Sequence, residues 1–81
     1  MEDEIKEFLE KIYNSLFFKL EVIRKENYNF EIKINFLLQN KSNEIIINYY
    51  YERFITFEAN IDNIEKEIDK RIINILKINS I

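Results

Sequence analysis

The sequence predicts an α+β fold: a two-layer sandwich in α-β-β-β-α order, with a three-stranded antiparallel meander and both helices on one face. Three observations carry this expectation. The stretch Glu44 to Glu58, EIIINYYYERFITFE, is rich in Ile, Tyr and Phe, which suit a pleated, half-buried surface, and its odd positions are nearly all apolar. Phe30, Ile32, Ile34, Phe36 and Leu38 alternate with Glu31, Lys33, Asn35 and Leu37, the period of a strand. Towards each end of the chain the apolar residues recur instead every three or four positions, the spacing of a helix stripe.

The first helix is expected over Glu2 to Leu16. Ile5, Phe8, Leu9, Ile12, Tyr13 and Leu16 form its stripe, and Glu2, Asp3 and Glu4 stand where the helix dipole favours negative charge. Phe17 to Lys25 fits either a continued helix or a strand. A strand from Phe18 to Lys25 is preferred, because the next segment needs a partner and Asn14-Ser15 is weakly helical. Glu26 to Asn29 reads as a turn, with Asn taking the left-handed conformations that the absent Gly would otherwise supply.

A strand over Phe30 to Leu38, a turn over Gln39 to Asn43 and a strand over Glu44 to Glu58 follow. The last exceeds the usual strand length, so a bulge or bend is expected, at Arg53, the one charge on its apolar face. The second helix is expected from Asn60 to Ile78, with Asp62 and Glu65 as a capping box and Ile61, Ile64, Ile68, Ile72, Ile75 and Leu76 inward. Ile78, Ser80 and Ile81 should fray. The expected core is Ile5, Phe8, Leu9, Ile12, Leu20, Ile32, Ile34, Phe36, Ile47, Tyr49, Ile64, Ile68 and Ile72.

The 81 residues make a single domain, 1–81, the expectation, and a hydrophobic fraction of 47% argues against disorder. Gly and Pro are absent and Ala occurs once, while Ile, Asn, Lys, Phe and Tyr abound, as in a product of an AT-rich genome such as a phage or mobile element. The start MEDEIKEF is not signal-like, and no apolar run approaches the length of a membrane span, so a soluble cytoplasmic protein without membrane partners is expected.

Without His or Cys there is no nucleophile–His pair and no thiolate metal site, and without Gly no phosphate-cradling loop. The carboxylates fall on helix faces and strand exteriors and show no convergence. The expectation is a protein that is not an enzyme and needs no cofactor or metal. The net charge of −3 disfavours general phosphate binding.

The element order resembles that of the double-stranded-RNA-binding domain. That resemblance implies a Lys-rich start to the second helix, where this chain has Asp62-Asn63-Ile64-Glu65-Lys66-Glu67, and a Gly-Pro-His turn that Glu26 to Asn29 does not match. Binding to duplex nucleic acid through phosphates is therefore not expected. In size, acidity and bias of composition the chain also resembles the small phage-encoded anti-defence proteins, anti-CRISPR inhibitors among them. This implies a protein-binding inhibitor of a nuclease or defence complex. An RNA- or ribosome-associated domain and a self-associating or antitoxin-like partner are the alternatives.

Two candidate surfaces follow. If the helices cover one sheet face, the other carries Ile23, Leu37, Ile46, Tyr50 and Phe54. Leu37 and Ile46 are expected as cross-strand neighbours, and Tyr50 and Phe54 as anchors of a partner site. The alternative is acidic: Asp3, Glu7 and Glu10 on one helix, and Asp62, Glu65 and Asp69 on the other, as phosphate mimics. A meander also leaves strands one and three at the edges. The first is guarded by Lys19, Glu21, Arg24 and Lys25, the third only by Glu44, Glu52, Arg53 and Glu58. A monomer, or a homodimer paired through the third strand, is expected.

Overall fold

The computed structural model describes residues 1–79, apart from the side chains of Ser15, Phe17, Phe18 and Asn79. Helix α1 spans Glu2–Tyr13 and passes through a single 3-10 turn, Asn14–Leu16, into strand β1, Phe17–Arg24. Strand β2 is Asn29–Leu38, β3 is Lys41–Tyr50, and helix α2 is Phe57–Asn79. The order is α-β-β-β-α, and the sheet runs β1-β2-β3 with both pairings antiparallel. The ambiguous segment is thus a strand.

Asparagine supplies most of the backbone freedom that glycine would give. Asn14, at φ 50°, ends α1, and its N–H donates to the Glu10 carbonyl. Asn27, at φ 55°, turns β1 into β2. The Asn29 side chain fastens that turn through a 3.1 Å bond to the Glu26 carbonyl. Between β2 and β3 both loop residues, Gln39 and Asn40, have positive φ, 54° and 64°. That pair of angles is the two-residue hairpin turn whose twist matches the flanking strands. The turn is therefore shorter than the expected Gln39 to Asn43, and Lys41, Ser42 and Asn43 join β3.

The long strand expected over Glu44 to Glu58 is corrected most. It ends at Tyr50, because β2 offers nothing beyond Asn29 for it to pair with. One last bond, from the Tyr51 N–H to the Tyr28 carbonyl at 2.8 Å, carries the chain off the sheet. Arg53 does mark the break, as the start of a turn within the connection 51–56 rather than as a bulge. Helix α2 then starts at Phe57, earlier than Asn60. Its cap is Thr56, whose Oγ1 accepts the Ala59 N–H at 3.1 Å. Asp62 lies inside the helix, so the expected capping box with Glu65 does not form there.

One core joins the layers. Leu20, Phe30, Ile32, Ile34, Phe36, Ile45 and Ile47 come from one sheet face, Ile5 and Leu9 from α1, and Ile61, Ile64 and Ile68 from α2. The expected core members Phe8 and Ile12 are instead 39% and 40% exposed. The 12-residue α1 points only Ile5 and Leu9 squarely inward. Phe8 meets Phe57 edge to face at 5.1 Å, under the Lys11 ammonium. Tyr49 and Ile72 pack against the core from its margin. Ile78 is still helical and 71% exposed, and Ser80 and Ile81 lie outside the described residues, as does the side chain of Phe18.

Candidate functional site

The cross-strand register decides what the uncovered sheet face can be. Leu37 stands opposite Ser42, not Ile46, and Ile46 stands opposite Lys33. Ile23 stands opposite Glu31. Charged side chains separate these residues: Lys19 pairs with Glu21 at 3.1 Å, and Glu31 lies between Lys25 and Lys33 at 4.0 and 3.9 Å. The expected continuous apolar patch is therefore corrected. Leu37 sits alone at the β2–β3 turn, Ile23 and Ile46 are single apolar groups in a ladder of paired charges, and Tyr50 and Phe54 lie towards the opposite end. A solvated outer face of this kind is ordinary for an antiparallel sheet.

At that opposite end the β1–β2 turn and the connection 51–56 meet. Arg53 stacks its guanidinium 4.8 Å from the centre of the Tyr28 ring and 5.8 Å from that of Phe54. Arg24 approaches the Tyr28 ring as well, at 5.8 Å. Phe54 is 95% exposed, the most exposed large apolar side chain among the described residues. Arg24 shares a rung with the core residue Phe30, which puts this cluster on the helix side of the sheet end. Tyr50, opposite Asn29, looks out from the other side. Among the described residues neither guanidinium is in an ion pair, although the chain has 15 acidic residues.

The loop that holds out Phe54 is fixed from below by one buried polar residue. Asn60 is fully buried. Its Oδ1 accepts the Tyr49 hydroxyl and the Glu52 N–H, the latter at 2.9 Å. Its Nδ2 donates to the carbonyls of Glu52 and Thr56, each at 3.0 Å. An asparagine amide offers two donors and an acceptor with two lone pairs, so all of its capacity is used. Burial raises the Tyr49 hydroxyl's pKa above its ordinary value.

The acidic alternative is spread out. Asp3, Glu7 and Glu10 are exposed on α1, with Lys6 and Lys11 among them. On α2, Asp62 is exposed and Glu65 half-buried. Asp69 is engaged within the fold: the Tyr13 hydroxyl donates to its Oδ1 at 2.8 Å and reaches the Glu65 carbonyl at 3.3 Å. Burial, and next the bond to Asp69, push the Tyr13 pKa well above its ordinary value. Asp62 to Glu67 do not form the start of the helix, where the only acid of the first turn is Glu58. Among the described residues no three acidic side chains converge as a metal would need, and no helix is long and apolar enough to cross a membrane.

Sequence reasoning singled out Tyr50 and Phe54 but passed over Arg24, Tyr28 and Asn60. The available signal was Arg53 itself, the one charge among the apolar odd positions of its stretch. Compared with protein-family models, with curated proteins and with solved structures, the chain matches none.

Proposed function

We propose that this chain is a small non-catalytic protein-binding module that works by occupying a partner's surface. Its contact is the tip formed by Arg24, Tyr28, Arg53 and Phe54. The observation that carries this reading is Phe54, a large apolar side chain 95% exposed on a loop pinned by Asn60. With its backbone fixed in advance at Glu52 and Thr56, the loop that carries it loses little freedom on docking. Aromatic residues and Arg are also the types that dominate interface energetics. Two guanidinia lacking carboxylates favour a partner that brings its own, around an apolar pocket for Phe54. The small size of the chain, 81 residues, supports blockade of a larger assembly, a nuclease or defence complex, as the use of this contact.

Capture of the partner from source-cell lysate, followed by affinity measurement, tests the reading. Phe54→Ser and Arg53→Ala should each weaken binding, the first by roughly thirtyfold if Phe54 is an anchor worth about 2 kcal/mol. Unchanged affinity in both folded variants would contradict the assignment, as would capture of nucleic acid alone.

A further inference from the structure

We infer that the open edge of β3 is a self-complementary surface that pairs two copies of this chain, each with a 3-stranded sheet, into one continuous sheet. This stands apart from the partner contact proposed above. The Tyr51 N–H turns towards β2, where it bonds Tyr28, so the odd residues of β3 direct their backbone groups inward along the ladder. The Ile46 carbonyl is turned the other way, where Arg71 of α2 reaches it at 3.4 Å. The even residues Ser42, Glu44, Ile46, Asn48 and Tyr50 therefore present their N–H and C=O groups to the open edge.

The defences expected of an edge are few here. Of the four residues expected to guard this strand, Glu52, Arg53 and Glu58 lie beyond its end, and Glu44 remains on it with Lys41 at its start. Its pairing with β2 runs along the whole strand without a shift, whereas β1 is irregular between Phe17 and Lys19 and carries Lys19, Glu21 and Arg24. Among the described residues the side chain that reaches this edge is Arg71, half exposed, on a long hydrogen bond and also 3.5 Å from Glu67.

Side-chain parity narrows the register. An antiparallel copy must set even residues against even ones, and use of the whole strand centres the two-fold axis at Ile45 or at Ile46. Centring at Ile45 sets Glu44 against Ile46, a charge against an apolar group. Centring at Ile46 sets Ile46 against Ile46, Glu44 against Asn48 and Ser42 against Tyr50, with Ile45 against Ile47 on the covered face. The second opposes no charge to an apolar group and requires Arg71 to give up the Ile46 carbonyl to the second copy, and its symmetry closes the assembly as a dimer.

Sedimentation equilibrium from micromolar to millimolar concentration tests this, with two variants. Asn48→Lys places an ammonium opposite Glu44 of the second copy and should tighten the dimer roughly fivefold, because two cross-strand pairs change at once. Adding Glu44→Lys sets Lys against Lys and should leave the dimer weaker than wild type. Both positions are exposed, so the protomer's fold is spared. A strict monomer throughout the range would overturn the inference, and so would a dimer that neither variant moves.

Discussion

Replacing Asn60 should loosen the loop that carries Phe54 and cost much of the fold's stability. In Asn60→Ala four hydrogen bonds go: those with the Tyr49 hydroxyl, the Glu52 N–H, and the carbonyls of Glu52 and Thr56. Each such bond contributes about 0.5–1.5 kcal/mol net, and the Tyr49 hydroxyl, only partly buried, can turn to water. The expected loss is about 2–4 kcal/mol. A chain of this size has roughly 4–12 kcal/mol in all, so the loss is plain in chemical denaturation. Asn60→Asp separates the two sides of the amide. It keeps the acceptor but turns a carboxylate oxygen towards two carbonyls, so the protonated acid is favoured in the fold. Its deficit should be smallest at about pH 4, the ordinary range of the group, and grow as pH rises through the raised value in the fold. A loss under about 0.5 kcal/mol in Asn60→Ala, or a pH-independent deficit in Asn60→Asp, would refute this account of the network.

Three further outcomes are expected. Ile34→Ala, at a fully buried site between sheet and helices, should cost about 2–5 kcal/mol by denaturation. Thr56→Ala should cost about 1 kcal/mol through loss of the α2 cap, while Asp62→Ala leaves stability nearly unchanged because Asp62 caps nothing. Because the Tyr13 pKa is raised in the fold, its contribution is complete below the unfolded value of about 10 and is lost as pH rises above it. Stability should therefore decline above that pH, and Tyr13→Phe should flatten the decline.

Periodicity made most of the fold legible. Alternation over Phe30 to Leu38 placed β2 to within a residue, and helix spacing found Ile5, Leu9, Ile64 and Ile68. The error over Glu44 to Glu58 arose because Tyr49, Tyr51, Ile55 and Phe57 keep period two across a turn. Local pattern cannot register that β2 has run out of residues to pair with. The capping box failed for a related reason. Asp62 and Glu65 satisfy the spacing, but Thr56 is the residue that the chain's exit from the sheet brings to the helix start. The site was half legible. Exposure of Tyr50 and Phe54 follows from parity and turn position. The stacking of Arg53 on Tyr28 joins the connection after β3 to the turn before β2, segments far apart in sequence, and the role of Asn60 depends on a loop that reads as strand.

Hydrogen–deuterium exchange of the chain with and without its captured partner tests the central claim most directly. Binding through the tip predicts added protection at residues 24–28 and 51–56, with the outer face around Lys33 and Ile46 and the exposed side of α1 unchanged. Protection confined to α1 and the Asp62–Glu65 stretch of α2, with residues 51–56 unaffected, would contradict it and move the contact to the acidic helices.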